Sequence, residues 1–435
     1  MTRFRLSGVC LALTALSCGG GQTAAGMPAS SGSSGETGGT SAAGAQAVAA
    51  GGASGSAVVS HACNDIAECK ATGSLGDGAP ALTVGMWVNI SPPGVPFGDN
   101  NGSPTFTQGI AIDPCDPSIL YLTVDGFDVG GSKAGLYKST NAGGTWRKIG
   151  QVKPNFTGVD HLDEPIRVRI DPKNSNHLYV VDGVRGGTSG FWVSCDAGET
   201  FYQPETFASL QNDQKLYSFD TYDVAVDPAD FNHLLVTSHS TWGDKWSNSS
   251  GVLESKDGGD SWIVHAPQDK WGTGHAIAFL SEPGQGIGNG DTWLLSNQLG
   301  GRFRTEDAGK TWTQVTDSQG IEHGGGTTYY SKSGVLYASG TPKNVRSTDN
   351  GRTFTPIESG GSGFTAILGD GTTLFTAPTF GPTSFFTSPE SDGQAWTALN
   401  SQQFTQGPFE LAYDSINHIL YSGTWKAGML ALKIK

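Results

Sequence analysis

The chain has 435 residues, a formal net charge of −14 and 64 glycines. That length can bury a substantial core in one large domain or two ordinary ones. The acidic balance argues against nucleic acid or anionic lipid as a partner held by bulk electrostatics.

In chain order, residues 1–18 read "MTRFRLSGVCLALTALSC". Arg3 and Arg5 precede an apolar run to Leu16 and then small residues, which is the order of a secretory signal peptide. The run is too short for a permanent membrane span. "ALSC" resembles a bacterial lipobox, with Ala15 where leucine is usual, and this implies lipidation of Cys18; simple secretion is the alternative. Residues 19–60 form a Gly/Ser/Ala-rich tether that cannot bury apolar surface and is expected to be disordered. The expected location is outside the cytoplasm, as an outer-membrane or cell-surface lipoprotein or else secreted, with the membrane touched only through the lipid.

Residues 61–85 are a short lead-in containing Cys63 and Cys69. In an exported chain these cysteines can oxidise. The close pair in "CNDIAEC" is expected to bridge itself, leaving Cys115 with Cys195. No metal-type cysteine spacing is present, and no metal or other cofactor is expected.

From residue 86 onward the sequence repeats. "STNAGGTW" (139–146) returns as "SCDAGETF", "SKDGGDSW", "TEDAGKTW" and "STDNGRTF", with a worn copy ending at Trp396. A short Asp or Asn can cap backbone N–H groups in a tight hairpin, Gly takes a conformation denied to other residues, and the aromatic packs between sheets. Upstream of several copies lie two short strands around an Asp-Pro turn, as in "GIAIDPCDPSILYLTV" and "VRIDPKNSNHLYVV". The aromatics recur every 42 to 61 residues, the period of a four-stranded propeller blade. The last unit stops after three strands, while "MWVNI" (86–90) looks like a fourth strand without its turn. The expected fold is therefore all-β: a single seven-bladed β-propeller over 86–435, closed by an N-terminal strand completing the C-terminal blade.

The repeat sorts the loops. His177, His233 and His418 fall on the side of the repeated turns and read as structural. The opposite mouth collects Asp125, Asp128, Asp160, Asp163, Glu164, Asp220, Asp223, Asp244 and Glu322, with Tyr222, Arg185 and the histidines His161, His239, His275 and His323. Trp242, Trp246, Trp271, Trp425 and Lys426 join them. Indoles stack on sugar rings and carboxylates bind hydroxyls or move protons, so the expected partner is a polysaccharide or oligosaccharide bound by a monomer. The candidate acids and bases are Asp125, Asp128, Asp163, Glu164, Asp223 and Asp244; the candidate binding residues are His161, Arg185, Tyr222, His239, Trp242, Trp246, Trp271, His275, His323 and Trp425.

The repeated turn resembles the Asp-box of BNR-repeat propellers. Together with the first-blade segment "LYLTVDGFDVGG" it is similar to the xyloglucanase family and its sialidase-like relatives. The resemblance implies a catalytic aspartate in the first blade: counting from "LY" selects Asp125, while "DVGG" selects Asp128. Those enzymes pair two propellers across a cleft, so in this chain a second carboxylate must come from its own mouth. A sialidase-type arginine triad is not expected, because Arg185 stands nearly alone there and "RID" (169–171) is a poor match to Arg-Ile-Pro. Three classes stay open: a polysaccharide hydrolase, a non-catalytic glycan- or protein-binding propeller, and a lyase using His239 or His275 with Tyr222.

Overall fold

A computed structural model describes residues 63, 73–98, 105–126, 133–152, 158–183, 186–213, 220–242, 249–281, 290–298, 300–317, 327–340, 343–357 and 365–435, and the statements below concern these. Seven small sheets form a seven-bladed β-propeller. Blade 1 comprises Phe106–Ile112, Leu120–Asp125, Gly135–Ser139 and Arg147–Ile149. Blade 2 comprises Pro165–Asp171, Asn174–Asp182 and Gly190–Ser194, with Thr200–Phe201 pairing in parallel with Gln151–Val152. Blades 3 to 6 begin at Thr221–Asp227, Gly274–Phe279, Thr328–Tyr330 and Thr365–Gly369, and each is a four-stranded antiparallel meander. Blade 7 comprises Pro408–Asp414, Ile419–Thr424 and Gly428–Lys433, and its fourth strand is the N-terminal Trp87–Asn89. Trp87 pairs with Leu432 and Asn89 with Leu430, so the two ends of the described propeller are hydrogen-bonded to each other, as the strand pattern anticipates.

The first strand of a blade is the innermost. The first strands of blades 1 to 4 adjoin one another, as do those of blades 5, 6, 7 and 1. Blade-on-blade packing is apolar: Tyr179, Val181 and Phe191 of blade 2 meet Val224, Leu234 and Val236 of blade 3. One helix, Glu205–Asp213, intervenes between blades 2 and 3 and is not signalled by the sequence pattern; its Phe207 packs 5.2 Å from Trp262 and 5.9 Å from Phe191.

The repeated turns share one hydrogen-bond scheme. Asp196 accepts the Thr200 N–H at 2.9 Å and the Ser194 hydroxyl at 2.8 Å, and Asp307 and Asp349 do the same with their own Ser/Thr partners. These bonds hold two consecutive residues at positive φ, as at Ala142 (52°) with Gly143 (91°). An isolated alanine rarely adopts that conformation, so the surrounding bonds must impose it. The turn between first and second strands is also capped by an aspartate: Asp113, Asp171, Asp227 and Asp414 each accept a backbone N–H two residues on, at 2.8 to 2.9 Å. Both kinds of turn lie on one side of the disc, the turn face.

The cysteine pairing differs from the expectation. Cys63 is bonded to Cys195 in the repeated turn of blade 2, with Cα atoms 5.2 Å apart, so Cys63 does not bridge Cys69 and Cys115 does not bridge Cys195. Cys115 is disulfide-bonded as well. Sequence proximity favours a local bridge, but the ring brings the lead-in across the turn face to blade 2. A crosslink spanning 132 residues stabilises the fold by roughly 5 kcal/mol on the chain-entropy argument.

Blade 3 carries a buried polar chain. His233 bonds Asp227 at 3.1 Å and Glu254 at 3.0 Å, and His265 bonds Glu254 at 2.8 Å. Burial opposes ionisation of Glu254, but hydrogen bonds from His233 and His265 outweigh it and hold the carboxyl at about 2. Burial likewise opposes charge on His233, yet Glu254 and Asp227 push its pKa up. Glu254 is lowered from 4.5, so its contribution is present above that value and lost as pH falls through about 2. His233 is raised from 6.5, so its contribution is present below that value and lost as pH rises through the raised one. Glu254→Gln is expected to lower stability by about 3 kcal/mol at pH 6 and to flatten both limbs of the melting temperature against pH. An unchanged pH profile would remove this chain from the stability of the blade.

Candidate functional site

Each first strand runs from the mouth opposite the turn face down to the turn face. In blades 1, 2, 3, 4 and 7 its register slips within the first few residues. Such bulges re-aim side chains at the end of a strand, here at the mouth where the candidate residues gather.

Acids from blades 1 and 2 meet there. Asp125 ends the second strand of blade 1, is fully buried, and accepts a hydrogen bond from Gln108 Nε2. Asp182 ends the second strand of blade 2 and is also fully buried. Its Oδ2 accepts the Thr188 hydroxyl at 3.0 Å and the Glu164 N–H at 3.2 Å, while Oδ1 has no hydrogen-bond partner among the described residues. Burial drives the Asp182 carboxyl well above the usual range, the charges of Asp163 and Asp125 add to this, and the two hydrogen bonds only partly oppose it. The chemistry of Asp182 was legible only as a repeat position, since "LYVVDG" (178–183) echoes "LYLTVDG" (120–126).

The other predicted acids have structural duties. Asp163 accepts the Gly187 N–H at 2.7 Å, the Thr188 N–H at 3.1 Å and the Thr188 hydroxyl at 2.6 Å, so it shapes the turn beside Asp182. Glu164 is buried and contributes its backbone N–H to Asp182. Asp223 is a correction to the expectation of an acid or base. It is buried between two arginines, 3.7 Å from Arg167 and 3.3 Å from Arg169, and its Oδ2 accepts the Ile277 N–H at 3.2 Å. Glu410 completes the group, 3.9 Å from Arg167 and 3.5 Å from Arg169, and accepts the Ile110 N–H at 2.9 Å. These four charges bind blades 7, 1, 2, 3 and 4 to one another inside the channel. The sequence signal was "IRVRID", whose arginines two apart on a strand share a face.

Tyr222, His239 and His275 form a ring cluster at the joint of blades 3 and 4. Tyr222 lies 4.5 Å from His275 and 5.4 Å from His239, and the two imidazoles are 5.2 Å apart. Asp220 holds His239 Nδ1 at 3.1 Å and also accepts the Ser240 hydroxyl. Tyr222 and His275 are buried, so only His239 of the three reaches the surface. His161 is part-exposed and pairs with the exposed Asp160 at 2.9 Å.

Two predicted sugar platforms are core residues instead. Trp242 is 1% exposed, packs into the blade 2–3 core and donates to the Ser238 hydroxyl at 3.1 Å. Trp271 is 5% exposed and packs 5.0 Å from Trp312 and 5.6 Å from Phe303. Indoles in loops read as binding surface, but the wedges between blades need large apolar filling. Trp425 is part-exposed and stacks 4.0 Å from Phe106 and 5.2 Å from Phe409, with the exposed Phe380 edge-on at 5.6 Å. Phe380 was missed by the sequence reading and presents the open aromatic surface there. Asp128, Arg185, Asp244, Trp246, Glu322, His323 and the lipidation candidate Cys18 lie outside the described residues. Among the described residues no cluster of three His, Cys, Asp or Glu could hold a metal ion, and no helix is long and apolar enough to cross a membrane.

No family model matches the chain. It is 26% identical over 281 residues to a xyloglucanase of Hypocrea jecorina, covering 58% of this chain and 32% of that protein. It is 26% identical over 219 residues to a xyloglucanase of Acetivibrio thermocellus, covering 44% of this chain and 25% of that one. The chain therefore spans about a third or less of the length of these curated relatives. Among solved structures, YCF48 from Cyanidioschyzon merolae superposes with a TM-score of 0.51 at 12% identity, over 79% of this chain and 97% of that one. The extracellular domain of a two-component-system protein from B. thetaiotaomicron gives 0.52 at 14%, over 76% and 40%. At such identities these likenesses speak for the fold alone.

Because Asp182 is raised, its contribution to stability is greatest below its ordinary value of 3.8 and declines as pH rises toward its folded value. Asp182→Asn, which mimics the neutral acid, is expected to raise the melting temperature at pH 7 and to leave it unchanged near pH 3. A melting temperature at pH 7 no higher than that of the parent chain would refute a destabilising, raised carboxyl at Asp182.

Proposed function

We propose that this propeller is a carbohydrate-active protein that engages a polysaccharide at the mouth opposite the turn face, and that it is a glycoside hydrolase. The observation that carries the reading is the acid pair from blades 1 and 2, in which burial and the charges of Asp163 and Asp125 push the Asp182 carboxyl well above the usual range. Glycosidic hydrolysis needs two carboxyl groups in opposite protonation states, and environments that push such a pair apart assign their roles. Asp182 passes its proton to the glycosidic oxygen as the bond to the anomeric carbon breaks. Asp125, oriented by Gln108, takes the proton of the attacking water. The sequence similarity to xyloglucanases supports xyloglucan as a substrate.

A second reading is a non-catalytic glycan-binding propeller, favoured by the complete burial of both Asp125 and Asp182. Reducing-sugar release from xyloglucan and a panel of neutral and acidic polysaccharides separates the two. The expected result is release that falls at least about 100-fold in Asp182→Asn and in Asp125→Asn. Binding without release would leave the glycan-binding reading, and ultraviolet absorbance of an unsaturated product would instead implicate Tyr222, His239 and His275 in a lyase.

We also propose that the protein is exported and anchored through Cys18. The order of charges and apolar residues at the N-terminus and the disulfide between Cys63 and Cys195 support this. Labelled palmitate is expected to enter the full chain in a bacterial host and to be absent from Cys18→Ala; equal labelling of both would refute the anchor.

A further inference from the structure

At the mouth opposite the turn face one hydroxyl serves three partners. Thr188 lies between the second and third strands of blade 2 and is buried, with its carbonyl accepting the Trp192 Nε1–H at 2.6 Å. Its hydroxyl oxygen stands 2.6 Å from Asp163 Oδ1 and 3.0 Å from Asp182 Oδ2, and it accepts the Asp163 N–H at 3.0 Å. A hydroxyl carries one proton and two lone pairs. The Asp163 N–H takes one lone pair, so the proton and the other lone pair are divided between the two carboxyls.

Distances and partners decide the division. The contact of 2.6 Å has the length of a hydroxyl donating to a carboxylate. Asp163 also accepts the Gly187 N–H at 2.7 Å and the Thr188 N–H at 3.1 Å, so three donors converge on it. A Cβ at Gly186 would collide with Asp163 Oδ1, so the loop closes onto that carboxyl as only a glycine permits. Asp182 receives a single N–H, from Glu164 at 3.2 Å. With the Thr188 proton given to Asp163, lone pairs face each other across the 3.0 Å to Asp182 unless Asp182 Oδ2 carries a hydrogen. The surrounding charges act in the same direction. Asp163 and Asp125 both raise Asp182, and Glu164 and Asp220 flank the end of its strand. Of the cations, Lys148 interacts with Asp163, and Arg167 is taken up by Asp223 and Glu410.

Asp182 is wholly buried, whereas Asp163 is part-exposed. Among the described residues Thr188 is the one side chain that hydrogen-bonds the Asp182 carboxyl, so the line from Asp163 through Thr188 connects that carboxyl to water. We infer that Thr188 is a proton relay, which passes a proton from Asp163 to Asp182 and leaves it on Asp182 Oδ2. Its catalytic meaning rests on the hydrolase reading; the proton path itself does not. Once Asp182 has given its proton to the glycosidic oxygen, the Thr188 hydroxyl transfers its own proton to Asp182 Oδ2 and takes the one that Asp163 Oδ1 has drawn from water. The hydroxyl is restored, no bond between heavier atoms changes, and Asp125 returns to water the proton it took. Thr188 acts through Asp182 and touches no reacting atom.

Stopped-flow infrared spectroscopy of the full chain at neutral pH tests the path without substrate. The spectrum of the parent chain minus that of Asp182→Asn is expected to contain the carbonyl band of a protonated carboxylic acid. On mixing with heavy water this band is expected to move to its deuterated position. Thr188→Ser, which keeps the hydroxyl, is expected to exchange at the parent rate. Thr188→Val and Asp163→Asn, which interrupt the line at two points, are each expected to exchange at least about tenfold more slowly. Melting curves establish which variants are folded, and either of the two suffices. Polysaccharide release by Thr188→Val is expected to fall in kcat with KM unchanged, and to recover in Thr188→Ser. Absence of the acid band from the parent difference spectrum, or parental exchange in a folded Thr188→Val or Asp163→Asn chain, would overturn the inference. A parent chain that shows the band and its relayed exchange but releases no sugar counts against the hydrolase reading alone.

Discussion

Everything in this molecule rests on the closure of a ring. Small four-stranded sheets are not stable alone, because each exposes two apolar faces, and each blade here is covered only by its neighbours. A break between blade 7 and blade 1 would uncover two of those faces at once. The chain prevents this by pairing Trp87–Asn89 with the outer side of Gly428–Lys433, so separating the blades requires breaking strand hydrogen bonds as well as apolar contacts. The bond between Ile90 N–H and the Met429 carbonyl at 2.9 Å extends the same ladder. The Cys63–Cys195 bridge then ties the approach to that strand onto blade 2.

Closure creates a channel, and the channel must be filled. The sequence fills it with charge where an apolar plug would also have served. Arg167 and Arg169 reach from blade 2 to acids on blades 3 and 7, and those acids accept backbone N–H groups of blades 4 and 1. A buried ion group of this kind is weak evidence for added stability, because desolvation offsets much of its attraction. Its geometric consequence is firmer: it divides the channel into two mouths with different chemistry. Asp125, Asp182, His239 and His275 collect above it, and half-buried Ile112, Ile170, Val226 and Tyr413 lie below.

The same division explains why the two faces serve different ends. On the turn face the backbone is over-determined by Asp and Ser/Thr caps, which leaves its side chains free to vary around a fixed frame. On the opposite face the first strands begin with register slips, and residues such as Gln108, Asp125 and Asp182 are delivered to a common place from different blades. Such a face can change its chemistry without disturbing the frame.

The sequence by itself determined the periodic part of this protein. The spacing of the Asp-Pro turns and of the repeated turn specifies strands, blades, closure by "MWVNI" and the sorting of histidines between faces, because each is a local hydrogen-bonding requirement repeated along the chain. It left Asp125 and Asp128 as alternatives for the first-blade aspartate. Only the tertiary structure decided what became of the rest. Trp242 and Trp271 lie in loops but fill the wedges between blades, Asp223 is claimed by two arginines distant in sequence, and Cys63 finds Cys195 rather than its near neighbour. The Asp182 carboxyl is pushed up by burial and by the nearby Asp163 and Asp125. Burial, desolvation and pairing between blades are properties of the closed ring, and a linear reading contains the repeat that builds the ring but not the neighbours that the ring brings together.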